Sequence, residues 1–261
     1  MATLTPILRA RIAEKRYPGI GGAPAHLALR EFVVSVPAGE FVALVGPSGC
    51  GKTTFLNIVA GLDGDFTGEL ALLPAENGRA PRIGYVFQNP RLLPWRTVRE
   101  NLTLVLRPGQ DPGIVDRLLR AVELEAARDV YPGRLSGGMS RRAAIARAFA
   151  VDPDLLLMDE PFVSLDEDSA GRLRQLLLEL WRARPTTVLF VTHDLREAVF
   201  LADRLLLLSP APGRVVAEVR VPLSRAERSD RAATDRLYHE IGARHRRLVE
   251  DAIGGAMRSS L

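Results

Sequence analysis

Apolar positions along the chain switch between a period of two and a period near 3.6, and the switches mark the elements. Residues 7–17 and 29–36 read as strands. In the second, Phe32, Val34 and Val36 fall on one side, with Val33 and Ser35 on the other. A loop containing glycine and proline, Pro18 to Pro24, joins them, and Pro37-Ala38-Gly39-Glu40 is a turn. Phe41 to Gly46 is then a short apolar strand running into a glycine-rich stretch. An amphipathic helix follows, with Phe55, Ile58, Val59 and Leu62 on its apolar face and Gly61 as its C-terminal cap. Two further strands, Gly68 to Leu73 and Arg82 to Gln88, are separated by a polar turn.

From Asn89 the character changes. Proline and tryptophan punctuate NPRLLPWRTVRENL, and helical patterns occupy about 98–106, 113–126 and 136–150. This block stands between strands and reads as an inserted helical subdomain, about 89–150. Leu155 to Met158 is a continuous apolar run ending in Asp159-Glu160, as expected of a parallel strand buried on both faces. A helix over 168–183 carries Leu173, Leu176, Leu177 and Leu180 on one face. Strand Thr187 to Thr192 delivers His193 at its C-terminal end, a helix begins near Leu195, and 204–208 and 214–221 close the pattern. The final stretch, 224–255, is Arg-rich, with Leu237, Ile241, His245, Leu248 and Ala252 at helical spacing. It fits a helix docked on its own domain, with a membrane surface as the alternative.

The chain has 261 residues, enough for one large α/β domain or a domain plus a subdomain. Hydrophobic residues make up 47% and charged residues 25%, an ordinary globular composition. The net charge of +4 is carried almost entirely by arginines scattered along the chain, so no nucleic-acid partner is expected. A single cysteine, Cys50, excludes an internal disulfide framework and fits a reducing, cytoplasmic setting. The N-terminus lacks the apolar core of a signal peptide, and no apolar run reaches the ~20 residues of a bilayer span. The expectation is a soluble chain whose membrane role comes through partners.

Candidate chemistry centres on Gly46-Pro47-Ser48-Gly49-Cys50-Gly51-Lys52-Thr53, which matches G-x-x-x-x-G-K-[ST]. The glycines let the backbone curl and aim successive N–H groups at phosphate oxygens. Lys52 suits the β/γ-phosphates, the Thr53 hydroxyl suits Mg²⁺, and Thr54 extends the nucleotide-contacting set into the helix. That helix aims its positive N-terminus at the same anion. Cys50 reads as a small residue that fits, with no redox role. Asp159, at the end of a buried strand, can hold Mg²⁺ directly or through water, and Glu160 can orient or deprotonate an attacking water. Gln88, where a strand leaves the core, can coordinate Mg²⁺ or that water as a sensor. Tyr17, ending the first strand, can stack on a flat base or simply pack. In Leu135-Ser136-Gly137-Gly138-Met139, Ser136 is a good N-cap and the glycines expose N–H groups, so a second anion site stands beside the plain reading of a helix cap. One P-loop already serves the γ-phosphate. The economical explanation is contact with ATP bound to another copy.

Taken in order, Tyr17, GPSGCGKTT (46–54), Gln88, LSGGM (135–139), LLLMDEP (155–161), Ser164-Leu165-Asp166 and His193 resemble the ATP-binding cassette (ABC) ATPases over about residues 5–220. The resemblance implies an α/β fold: a RecA-like P-loop NTPase core with a mixed sheet, an N-terminal antiparallel β subdomain and an inserted α-helical subdomain. Residues 1–220 would be the ATPase domain and 221–261 an Arg-rich helical tail. By the same resemblance Tyr17 is similar to the adenine-stacking aromatic, and Gln88 to the Q-loop glutamine. Ser136, Gly137, Gly138 and Met139 are similar to the trans-acting signature, Ser164, Leu165 and Asp166 to the D-loop, and His193 to the switch histidine that contacts the γ-phosphate. The cofactors implied are ATP and Mg²⁺.

Phe87 to Val98, with Met139 in the signature, is similar to importer ATPases of the nitrate/sulfonate/taurine group, where this segment borders the groove for the membrane subunit's coupling helix. The implied assembly is a homodimer with ATP at its interface, on the cytoplasmic face of the cell membrane. Integral membrane permease subunits would join it, and a periplasmic or extracellular solute-binding protein would act indirectly. Ser140-Arg141 departs from the family's more usual basic-Gln pair, and Tyr131-Pro132-Gly133-Arg134 is also unusual. A lipid or other transport system, or a soluble non-transport ABC ATPase, remain as alternatives. A DNA-repair member would need a long coiled-coil insertion that this spacing does not allow, and a translation factor would usually hold two cassettes.

Overall fold

The structure, a computed structural model, describes residues 5–19, 21–22, 24–74 and 78–258, with the side chains at 229, 231 and 248–258 outside the description. Ile20 and Ala23 of the expected first loop, and the side chains of Leu248 and Ala252, therefore lie outside the described residues. The strands are β1 (Pro6–Tyr17), β2 (His26–Pro37), β3 (Phe41–Val45), β4 (Thr67–Leu72), β5 (Ile83–Val86), β6 (Leu155–Asp159), β7 (Thr187–Thr192), β8 (Arg204–Leu208) and β9 (Val215–Arg220). The helices are α1 (Lys52–Val59), α2 (Val98–Thr103), α3 (Gly113–Ala121), α4 (Gly137–Ala150), α5 (Glu167–Ala183), α6 (Leu195–Leu201) and α7 (Arg231–Arg258). They divide between two compact units, Met1–Arg79 with Thr187–Leu261, and Ala80–Thr186.

In the first unit β1 pairs antiparallel with both β2 and β4, giving a three-stranded sheet in the order β2-β1-β4. The expected alternation holds in β2: Phe32, Val34 and Val36 are buried while Val33 is 56% exposed, because successive side chains take opposite faces of a pleat. β3 lies between β7 and β8, parallel to both, and β9 runs antiparallel to β8, so these strands form a mixed array. Every residue of β3, β7 and β8 is buried, which is why each reads as a continuous apolar run rather than an alternating one.

Helix α1 stops where expected. Gly61 adopts φ +71, its N–H donates to Ile58 O at 3.0 Å, and Leu62 N–H reaches back to Asn57 O at 2.9 Å. Leu62, expected on the apolar face, is instead 61% exposed because it lies beyond that cap, and Leu56 is buried in the helix. Helix α7 docks on its own unit. Leu237 and Ile241 are buried, a His245 ring nitrogen lies 2.9 Å from Leu208 O, and Arg196 pairs with Asp235 while covering the Tyr238 ring at 4.4 Å.

In the second unit β5 and β6 pair in parallel, Ile83 opposite Leu155. Gly84 lets α4 press against β5, since a Cβ there would lie 2.6 Å from Ala148 O. Helix α4 runs as expected, but the other two inserted helices are shorter. Helix α2 starts on a capping box formed by Thr97 and Glu100, then gives way after Thr103 to i→i−3 bonds at Val105 and Leu106. Helix α3 closes at Ala121, where Leu124 N–H reaches Leu119 O at 2.8 Å and Glu123 takes φ 55, before a 3₁₀ turn at Glu125–Ala127. In α5 the predicted stripe, Leu173, Leu176, Leu177 and Leu180, is buried. Among the described residues no helix is long and apolar enough to cross a membrane.

One buried ion pair ties the P-loop strand to its neighbour. Arg204 at the start of β8 donates from Nε and Nη2 to Glu40 Oε2 at 3.0 and 2.7 Å, from Nη1 to Glu218 Oε1 at 2.9 Å, and from Nη2 to Ser35 O at 2.8 Å. Both members of the central pair are buried. Glu40→Ala would leave the guanidinium with half its anionic partners, and breaking a buried pair from one side costs about 3–5 kcal/mol. The expected outcome is a clearly lower urea midpoint by circular dichroism; an unchanged midpoint would show that the pair carries no stability.

Candidate active site

The glycine-rich turn is set by backbone conformation and close approach. Gly49 and Gly51 adopt φ +80 and +92, the left-handed region open to glycine. At Gly51 a Cβ would also lie 2.5 Å from Leu29 Cδ2 and 2.8 Å from Ala28 O, and at Gly46 it would lie 2.9 Å from Cys50 Sγ and from Leu208 Cβ. Lys52 opens α1 and is 4% exposed; its ammonium donates to Gly46 O at 2.8 Å and Pro47 O at 3.0 Å. The lysine is thus held over the interior of its own loop, where the α1 N-terminus adds positive potential. Cys50 is buried, in keeping with a packing role.

Two other predicted residues of this unit converge on the loop. Tyr17 Oη is 3.3 Å from Thr54 Oγ1 and donates to Asp63 Oδ2 at 3.0 Å, so the first strand's terminal ring is brought to the start of α1. His193 leaves β7 next to the point where Gly46 leaves β3, because Val45 and Thr192 are paired across these parallel strands. His193 is exposed, while Thr192 Oγ1 donates to Glu197 and accepts from Asp194 N–H to fix the turn beside it. Ligand sites at the carboxyl ends of parallel strands follow from this topology.

In the second unit, Asp159 ends β6 with only 3% exposure, and Glu160 follows at φ 43, a left-handed conformation costly for a residue with a Cβ. Ser164 repeats this at φ 62, and Asp166 caps α5 by accepting from Ser169 N–H at 2.9 Å. Hydrogen bonds from Ser169 hold the Asp166 carboxyl below the usual range. Ser136 caps α4 by accepting from Met139 N–H at 3.2 Å. Added Cβ atoms at Gly137 and Gly138 would meet nothing within 4 Å, so packing among the described residues does not demand glycine there. The signature and D-loop residues line one open cleft of about 630 Å³, which Asp159 and Glu160 do not line. Gln88 is exposed after β5. The hydroxyl of Thr53, the amide of Gln88 and the carboxylate of Asp159 are hard oxygen donors suited to Mg²⁺. Among the described residues no group of three or more His, Cys, Asp or Glu could hold a metal by itself, and Mg²⁺ shared with phosphates requires no such cage.

The supporting roles of four residues escaped the sequence reading. Gly213 packs so closely on the loop that a Cβ would lie 1.9 Å from Cys50 O; in sequence it reads only as a Pro-Gly turn. Lys15 is 2% exposed, pairs with Asp63 at 2.8 Å, and sits 4.5 Å from the Tyr17 ring centroid. Its signal was available, since the chain has two lysines, Lys15 and Lys52, against many arginines. Arg141 and Arg147 of α4 bind main-chain carbonyls: Arg141 those of Gln88, Pro161 and Val163, and Arg147 those of Pro90 and Arg91.

Comparison with known proteins accounts for this arrangement. The family model described as ABC transporter matches residues 29–163. The chain is 45% identical over 227 residues to an aliphatic sulfonates import ATP-binding protein of Burkholderia lata, covering 86% of this chain and 81% of that one. It is 41% identical over 228 residues to a protein of the same name from Bacillus licheniformis, covering 85% and 88%. The chain belongs to the ABC transporter family of ATP-binding cassettes. The ATP-binding cassette MJ0796, solved as a dimer in a post-hydrolysis state with ADP and phosphate, superposes with a TM-score of 0.70 at 31% identity, over 83% of this chain and all of that one. As a member of this family the cassette binds ATP and is an ATPase. Its fold is the mixed α/β architecture of those relatives, with the antiparallel N-terminal sheet and the helical insertion between β5 and β6.

Burial opposes the charge on Asp63, but hydrogen bonds from Lys15, the Asp65 N–H and Tyr17, with the Lys15 charge, hold its carboxyl below the ordinary aspartate range. Its stabilisation is therefore complete at neutral pH and lost as pH falls through the depressed folded pKa. Asp63→Asn should flatten the loss of stability expected of the wild-type cassette below about pH 4. Urea midpoints across that range measure this, and superimposable acid profiles would rule out a role for the Lys15–Asp63–Tyr17 cluster in acid stability.

Proposed function

We propose that this cassette is the ATP-hydrolysing subunit of an importer for a small solute of the nitrate, sulfonate or taurine type. The single observation carrying this is the P-loop geometry, with Lys52 buried over its loop at the end of β3 and His193 leaving the adjacent strand. The sulfonate-import names of its relatives supply the substrate class.

In this reading Tyr17 stacks on the adenine, and the Gly46–Thr54 loop cradles the phosphates. Thr53, Gln88 and Asp159 would hold Mg²⁺, which when bound would supply positive charge against the β- and γ-phosphates. Glu160 orients and deprotonates the attacking water, and His193 contacts the γ-phosphate. Ser136–Met139 of a second copy completes the nucleotide site. Two copies then sandwich two ATP molecules, with Ser164–Asp166 reporting across the interface. The glycines at 137 and 138, where an added Cβ would meet none of the described residues, fit the close approach of that second nucleotide.

The membrane subunit's coupling helix would sit in a groove of about 350 Å³ lined by Tyr85, Phe87, Leu93, Leu104 and Arg147. Leu104 there is 61% exposed, and Trp95 nearby in sequence is 68% exposed, apolar area that a partner would cover. The complex would work at the cytoplasmic face of the cell membrane, receiving solute from an external binding protein. Residues 1–220 would be the ATPase domain and 221–261 its helical tail.

Glu160→Gln should retain ATP binding and lose turnover by about 10²–10⁴-fold, leaving a long-lived ATP dimer visible by size-exclusion chromatography. Turnover at the wild-type rate would overturn the assignment of the base. Lys52→Ala should abolish ATP binding or hydrolysis, and unchanged activity would remove the basis of the phosphate site.

A further inference from the structure

Arg141 stands on α4 just beyond the helix start formed by Ser136–Met139. Its guanidinium grips two separate segments of the same unit. Nη1 donates to Gln88 O at 3.3 Å and Pro161 O at 3.1 Å, and Nη2 donates to Val163 O at 2.5 Å. The first segment carries Gln88; the second follows Glu160. The gripped turn is the strained one, since Glu160 at φ 43 and Ser164 at φ 62 bracket the two carbonyls held at Pro161 and Val163. Left-handed backbone at residues with a Cβ persists only where its surroundings over-determine it. A charged donor shared among three carbonyls is such a surrounding, because charge-assisted hydrogen bonds are shorter and stronger than neutral ones.

The residue type matters. The glutamine more usual at this position in the family offers a single shorter amide, with too few donors to make all three bonds. Arginine presents five N–H donors in a rigid fork and reaches both segments at once. It is also mounted on a helix, so a small displacement of the helix start is transmitted as a rigid body to both loops.

We propose that Arg141 is a positioning residue that couples the helix start Ser136–Met139 to the turn orienting Glu160 and to Gln88. This rests on the reading that Ser136–Met139 meets the nucleotide of a second copy while Glu160 activates water. Arg141 then links the two: ATP held by α4 in one site sets the geometry of hydrolysis in the other. The role is indirect, as the guanidinium is spent on carbonyls.

The test uses the full chain with Arg141→Met, which keeps length and removes the donors, and Arg141→Lys, which keeps charge and three donors. Folding is checked by circular dichroism. Arg141→Met should lower kcat about ten- to a hundred-fold, as misplaced catalytic groups do. The KM for MgATP should stay within about two-fold. The Hill coefficient for ATP should fall toward one, and Arg141→Lys should recover part of both losses. Amide exchange should speed up in residues 86–92 and 159–165 of Arg141→Met, whether or not ATP turns over. A wild-type kcat in Arg141→Met, or exchange unchanged in both segments, overturns the proposal. The parent reading fails separately: it falls if the wild-type chain hydrolyses no ATP or if Glu160→Gln turns over normally, and exchange then still decides whether Arg141 holds the two loops.

Discussion

The architecture of the first unit depends on how closely backbones can approach one another around the P-loop. Gly46 and Gly51 belong to the loop itself and Gly213 to a distant stretch, and at each a single Cβ would collide with a neighbour. The start of β2 supplies Ala28 and Leu29 against Gly51, and the loop after β8 supplies Gly213 against Cys50. Hydrogen bonds secure the same approach, since Arg30 N–H donates to Gly213 O at 3.1 Å and Gly213 N–H to Ala28 O at 2.9 Å. The shape of the phosphate loop is therefore set by the chain's own packing and hydrogen bonds. Preorganised N–H dipoles of this kind do not have to reorient when charge develops.

Order in the second unit is obtained differently. The segments around its candidate residues are loops, and a loop's carbonyls need partners when its neighbours are packed. Helix α4 provides them through Arg141 and Arg147, while Asn101, 1% exposed, ties the Leu93–Thr97 turn by accepting from Leu93 N–H and donating to the carbonyls of Leu93, Arg96 and Thr97. Burial lowers the guanidinium pKa of both arginines, in keeping with long side chains drawn inward to serve carbonyls. Three polar side chains thus do for these loops what strand pairing does for β3, β7 and β8.

Much of this was readable from the residues alone. Element order, the buried parallel strands and the left-handed glycine cap of α1 follow from local rules: apolar period, β-branched content and glycine position. The motif residues were legible for the same reason, because phosphate chemistry demands particular residue types at fixed short spacing. Helix ends were less legible. α2 and α3 stop early because their last turns convert to 3₁₀ or left-handed geometry, a choice made by competing local hydrogen bonds rather than by pattern.

Sequence by itself determined the family, the phosphate loop and which side chains could carry chemistry, since each of those is encoded in contiguous residues. Tertiary structure decided what supports them. Lys15 on the Asp65 carbonyl and Gly213 against Cys50 join positions far apart in the chain, as does Arg141 across the carbonyls of Gln88, Pro161 and Val163. No local pattern marks such a pair, because the partner is a backbone atom that only the folded chain brings within reach.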